Sequence, residues 1–184
     1  SGQFNAHIWT AITAGFILAF PVILWELWKF IRPALYDKER KGAKLFIFIS
    51  SVLFFAGVLF GYYIITPLSI NFLANYQVST QIHNDIDLDS YISLIRSTTL
   101  SCGLVFELPV IMFFLSKLGL VTPTFLRTYR KYAIVIILIL AAIVTPPDVV
   151  SQITVSIPLL ILYECSIFIS GWVLKTKQKN EQLS

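Results

Sequence analysis

Charge is scarce in this 184-residue chain: only 13% of residues are Asp, Glu, Lys or Arg, against 57% hydrophobic and 15% aromatic. A soluble domain carries about 25% charged residues to cover its surface, so a water-exposed globular fold is not expected. Cysteine and histidine are nearly absent, with two of each. Cys102 and Cys165 fall inside apolar runs, which argues against a disulfide framework and makes them small buried side chains. His7 and His83 have no second ligand at metal spacing, so no metal centre and no cofactor are expected. Residues 1–10 hold neither a basic leader nor a small-residue cleavage site and do not read as a signal peptide. The chain does not begin with Met and reads as part of a longer protein.

What is present is length of apolar sequence. Runs recur at 6–28, 45–66, 90–116, 132–145 and 149–174. Crossing a hydrocarbon core of about 30 Å takes about 20 helical residues, which the first three runs supply. The fourth holds 14 residues between Lys131 and Pro146. It rises only about 21 Å, a shortfall that bilayer thinning or burial against neighbours accommodates. Period-2 alternation is lacking, which favours helices over a barrel. The expectation is an all-α membrane protein: one polytopic helical bundle over 1–184 with five transmembrane helices.

Basic residues orient it. Lys29, Arg32, Lys38, Arg40, Lys41 and Lys44 lie between the first two runs, whereas 67–89 has no Lys or Arg and carries Asp85, Asp87 and Asp89. Lys117, Arg127, Arg130 and Lys131 follow the third run, 146–148 has no basic residue, and the tail has Lys175, Lys177 and Lys179. This alternation puts the N-terminus outside and the C-terminus in the cytoplasm. The formal charge of +4 is thus a topology signal, and nucleic acid is not an expected partner.

Several residues read as architecture. Gly57 and Gly61 form a small-xxx-small pair that lets helices approach closely, read here as internal packing. Pro21, Pro109 and Pro158 lie within runs, where each removes a backbone donor and tends to kink the helix. Trp9 on one side and Trp25, Trp28 and Tyr36 on the other fit interfacial belts. Thr122-Pro123 reads as a helix N-cap and first residue, and Asp148 as the cap of the last helix.

The polar residues inside the runs carry the functional argument. Glu107 sits in the middle of Leu100–Leu115, about 15 Å from the Lys117 end and near the bilayer midplane. A charge at that depth costs about 3 kcal/mol on insertion scales and usually faces a partner, a cavity or a substrate path. Arg96 lies eleven residues earlier on nearly the same helical face, and Glu164 is a second carboxylate within a run. An ion-coupled secondary transporter using Glu107 as proton carrier is one reading. Against it, the chain shows no internal repeat of broken helices. An enzyme is not expected, because no His, Cys or paired-carboxylate constellation falls at one depth.

The segments Phe20-Pro-Val-Ile-Leu-Trp-Glu-Leu-Trp28 and Phe30-Ile-Arg-Pro-Ala-Leu-Tyr-Asp-Lys-Glu-Arg40 resemble the second helix and first cytoplasmic loop of the TatC family. So do Phe54–Gly57, Phe106-Glu-Leu-Pro109, Arg130–Tyr132, Thr145-Pro-Pro-Asp-Val-Val-Ser-Gln152 and Leu162-Tyr-Glu164, in order and at compatible spacing. TatC is the polytopic core of the twin-arginine protein translocase. The resemblance implies six helices in full-length members, with the first absent here, and a concave, glove-like bundle whose hollow Glu107 faces. It implies a receptor that binds twin-arginine signal peptides and supports proton-motive-force-driven transport of folded proteins across a bacterial inner membrane. By resemblance, Phe30, Glu39 and Arg40 bind the signal peptide, and Thr145, Asp148 and Gln152 meet the single-span TatA and TatB subunits in a larger oligomeric complex.

Overall fold

The computed structural model describes residues 2–31, 43–75, 87–145 and 147–181, all but short connections of them helical. They fall into two compact units, Ser1–Leu104 and Val105–Ser184.

In the first unit, α1 (Gly2–Ile31) and α2 (Ala43–Phe60) pack through aromatic residues. Phe20 and Phe54 stack with ring centroids 3.5 Å apart and planes 10° from parallel, and the Phe16 ring meets both at an edge. Such pairs contribute about 0.5–1.5 kcal/mol each beyond area burial. Because lipid is as apolar as these side chains, fit rather than escape from water holds the helices together. Leu18 and Phe48 point outward, as a lipid-facing surface requires. Trp28 corrects the expected belt: it is buried and packs on Phe46, whereas Trp25 stays exposed.

The second apolar run extends beyond 66. A π-helical turn, Gly61–Ile65, joins α2 to α3 (Thr66–Asn75), so helix continues nine residues into the expected 67–89 loop. The turn's widened register is visible at Thr66, whose amide and hydroxyl both donate to the Gly61 carbonyl. Widening just before Pro67 relieves the clash a proline ring makes with the carbonyl four residues back. Helix α4 (Leu88–Val105) then packs closely against this segment, at Gly61 of the π turn and at its own Gly103 facing α2. A β-carbon on Gly61 would lie 2.9 Å from the Thr99 α-carbon, and one on Gly103 would meet the Phe54 ring at 2.9 Å. Gly61 therefore serves internal packing, as its spacing from Gly57 suggested.

In the second unit, α5 (Leu108–Lys117), α6 (Pro123–Thr128), α7 (Arg130–Val144) and α8 (Val149–Glu181) follow. Helix α5 ends in a Schellman turn: Leu120 donates to the Leu115 carbonyl and Gly119 to that of Ser116, with Gly119 at φ 77°. Thr122 caps α6, its hydroxyl accepting from the Phe125 amide, with Pro123 in the first turn. The helix starts where Thr122-Pro123 announced one, and it is short, ending at Thr128. Across the unit, Ser116 Oγ donates to Ser170 Oγ at 2.8 Å and Tyr163 donates to the Leu126 carbonyl at 2.8 Å, tying α5 and α6 to α8.

Among the described residues, Gln3–Phe30, Leu45–Asn75, Leu88–Lys117 and Val149–Thr176 are long and apolar enough to cross a membrane. Helix α7 has 15 residues and rises about 22 Å, matching the short fourth run. The chain is a multi-pass, all-helical membrane protein. Pro21 and Pro158 lie inside α1 and α8, each of which runs on as helix past its proline. Only Pro109 coincides with an interruption, between α4 and α5.

Candidate functional site

Pro109 has no N–H to give the Val105 carbonyl, so the α-helical ladder stops there. Phe106 and Glu107 form the turn, and the ladder restarts when the Val110 and Ile111 amides, each at 3.0 Å, donate to the Glu107 carbonyl. Glu107 thus stands at the N-cap position of α5, but its side chain does not cap the helix. The residue is 7% exposed, with Phe106 and Val110 buried beside it. Its backbone carbonyl starts α5, and the residue as a whole, carboxyl group included, is buried. Arg96 does not share this setting, since it lies in the first unit with its guanidinium over the Trp9 ring.

Glu164 has a plainer role. Arg130 Nε meets Glu164 Oε1 at 2.6 Å while Nη2 reaches Oε2, the two-pronged geometry that guanidinium and carboxylate favour. The hydrogen bond and charge of Glu164 raise the Arg130 pKa above its ordinary value. Glu164 is therefore a counter-ion for the start of α7, an assignment that a separation of 34 residues hid from sequence reasoning.

The turn between α7 and α8 is ordered by its own polar groups. The buried Thr145 hydroxyl donates back to the Ala141 carbonyl at 2.9 Å. Asp148 accepts from the Val150 and Ser151 amides at 3.2 and 2.8 Å, the cap expected from sequence. Gln152 reaches across to α7, donating to the Leu138 carbonyl at 3.1 Å. Thr145, Asp148 and Gln152 are brought together at one end of the α7–α8 pair, where Ile143, Val149 and Val150 are exposed. Phe30 lies at the end of α1 and is 83% exposed. Glu39 and Arg40 lie outside the described residues. Cys165 is exposed on α8 rather than buried.

The Ser151 side chain and amide, together with the Val150 amide, hold the Asp148 carboxyl below its ordinary range. A depressed carboxylate adds stability that is complete above the unfolded value, about 3.9, and is lost as pH falls through the lower folded value. The melting temperatures of wild type and Asp148→Asn are therefore expected to differ by a constant amount from neutral pH to about 5 and to converge below about 4. A gap that persists at the acid end would show that Asp148 acts through something other than its charge.

The family model for Sec-independent protein translocase protein (TatC) matches residues 1–158. The chain is 49% identical over 176 residues to the TatC protein of Blattabacterium sp. subsp. Periplaneta americana (strain BPLAN), covering 96% of this chain and 66% of that protein. It is 42% identical to TatCy of Bacillus subtilis (strain 168), covering 92% of this chain and 67% of the relative. The chain thus spans about two thirds of the length of these relatives. A crystal structure of the twin-arginine translocase receptor TatC in DDM superposes with a TM-score of 0.77 at 38% identity, covering 93% of this chain and 76% of that one. Membership follows from a match that runs through both units, including the break at Glu107 and the Asp148 turn: the chain belongs to the TatC family of Sec-independent protein translocase proteins.

Proposed function

We propose that this chain is the membrane core and signal-peptide receptor of a twin-arginine translocase, carrying folded proteins across a bacterial inner membrane at the expense of the proton-motive force. Family membership over residues 1–158 carries the reading. The buried carboxylate of Glu107, within a span that a passive anchor would fill with apolar side chains, supports it. In this reading the chain contributes five spans, begins outside and ends in the cytoplasm. It performs no covalent chemistry: it binds, positions and releases.

Recognition falls to Phe30, Glu39 and Arg40. Two guanidinium groups of a twin-arginine motif call for a carboxylate that accepts short, often bidentate hydrogen bonds, and Glu39 is the carboxylate assigned to that task. Glu39→Ala in the full-length protein is expected to weaken twin-arginine peptide binding by about 1.5–3 kcal/mol, the range for hydrogen bonds to charged groups. Asp37→Ala should do less. Equal peptide affinity for wild type and Glu39→Ala, measured at low and high salt, would reduce this basic loop to a topology signal.

Partner helices of TatA and TatB are assigned to the α7–α8 turn. Cysteines placed at Thr145 and Gln152 are expected to crosslink to them, Gln152 faster because Thr145 is buried within the chain. Crosslinks found only from positions on α1 or α2 would move the docking edge elsewhere.

A further inference from the structure

A groove of about 330 Å³ runs between α1, the π-helical turn and α4, entirely within the first unit. That size lies at the low end of the roughly 300–1,000 Å³ of ligand pockets. It exists because α1 presents small side chains at helical spacing, Ala6, Thr10, Thr13 and Ala14. Thr10 and Thr13 turn their hydroxyls back onto the Ala6 and Trp9 carbonyls at 2.7 and 2.9 Å. Their methyl groups are left to line the groove, whose walls are mostly apolar, with Arg96 its one permanently charged lining residue and His7 and Tyr62 at its edge.

Arg96 is the exception that needs an anion. Its guanidinium lies 5.4 Å from the centre of the Trp9 ring and gives one long hydrogen bond, 3.4 Å, to Ser93 Oγ. Among the described residues no carboxylate pairs with it, although a guanidinium has five N–H donors and a membrane cation ordinarily carries a counter-charge. Arg96 stands eight residues into α4 and Trp9 seven into α1, about 10–12 Å from the helix starts. In spans of this length such a distance falls near the boundary between hydrocarbon and headgroups, where tryptophan is enriched.

We propose that this groove binds one membrane phospholipid, with its phosphate on the Arg96 fork and an acyl chain laid along the small side chains of α1. Charge and shape select the occupant. A phosphate offers the planar fork two acceptor oxygens, the apolar walls suit a hydrocarbon chain, and both come joined in the surrounding solvent. The inference stands independently of the translocase reading.

The test uses the purified chain in detergent, with bound phosphatidylglycerol counted by native mass spectrometry. Wild type is expected to retain one phospholipid. Arg96→Gln should weaken retention about tenfold or more, as loss of charge-assisted hydrogen bonds implies, and Arg96→Lys by less. Ala14→Phe should block retention by filling the groove while leaving the cation in place. Circular dichroism and gel filtration establish that each variant folds; should Ala14→Phe misfold, the two Arg96 variants decide. Equal retention by wild type and Arg96→Gln would overturn the proposal, as would equal binding of diacylglycerol, which lacks the phosphate. Inorganic phosphate matching the lipid would reduce the site to an anion contact and overturn it too. A disulfide formed between Asp85→Cys and Arg96→Cys in lipid-free protein would give the place to the 76–86 segment instead.

Discussion

Gly61→Val is expected to lower the unfolding free energy in detergent by about 3 kcal/mol or more, at the top of the usual range for overpacking. The reason is what the added β-carbon meets. It would lie 2.9 Å from the Thr99 α-carbon, 3.0 Å from the Thr98 carbonyl oxygen and 3.0 Å from the Cys102 β-carbon. The first two are backbone of α4 and cannot rotate aside. Moving α4 instead opens the neighbouring contact in which Gly103 seats against Phe54 and Val58. Fit alone separates the folded from the lipid-dispersed helices, so lost contacts are not restored by any hydrophobic return. Two other glycines calibrate the measurement. Gly15 has open space where a β-carbon would go, so Gly15→Ala should be neutral or stabilising by up to about 1 kcal/mol through helix propensity. Gly103→Ala meets side chains rather than backbone, and trimming Phe54 to Leu should partly restore it. If Gly61→Val melts like wild type while Gly15→Ala does not, the crossing of α2 and α4 is looser than these distances say.

That crossing marks a limit of sequence reading. Gly57 and Gly61 announced a close approach by their spacing, because small residues four apart share a helix face. Nothing local identified α4 as the partner, since tertiary pairing between spans is not encoded in the period of either. Run length placed the helices well, and the 14-residue fourth run became the 15-residue α7. Polar capping was also legible: Thr122 and Asp148 cap as read, because an N-cap needs only its own side chain and the next few amides. The end of the second run at 66 was less legible, because the π turn Gly61–Ile65 carries the helix on through Pro67 into α3. The site was legible in part. Glu107 stood out by depth, whereas the Arg130–Glu164 pair and the Trp9–Arg96 contact join residues far apart in sequence.

Glu107 carries the largest functional expectation. Glu107→Ala should insert and accumulate normally yet reduce transport of a folded twin-arginine cargo by on the order of tenfold or more, while Glu107→Gln keeps part of the activity. Stability and function are expected to move apart here. A carboxylate deep in the membrane costs about 2.5–3.5 kcal/mol on insertion scales, so its removal should not impair insertion. Nor does removal strip α5 of its start, because the Glu107 backbone carbonyl, not the side chain, accepts from Val110 and Ile111. What Ala loses is a buried carboxyl group. Gln restores hydrogen-bonding capacity without a formal charge, so the Ala–Gln difference reports polarity and the Gln–wild-type difference reports ionisation. Transport equal to wild type in the Ala variant, at equal abundance, would make Glu107 a structural residue. Loss of transport in both variants, together with a solute-coupled proton current in wild type, would instead favour an ion-coupled transporter over a protein translocase.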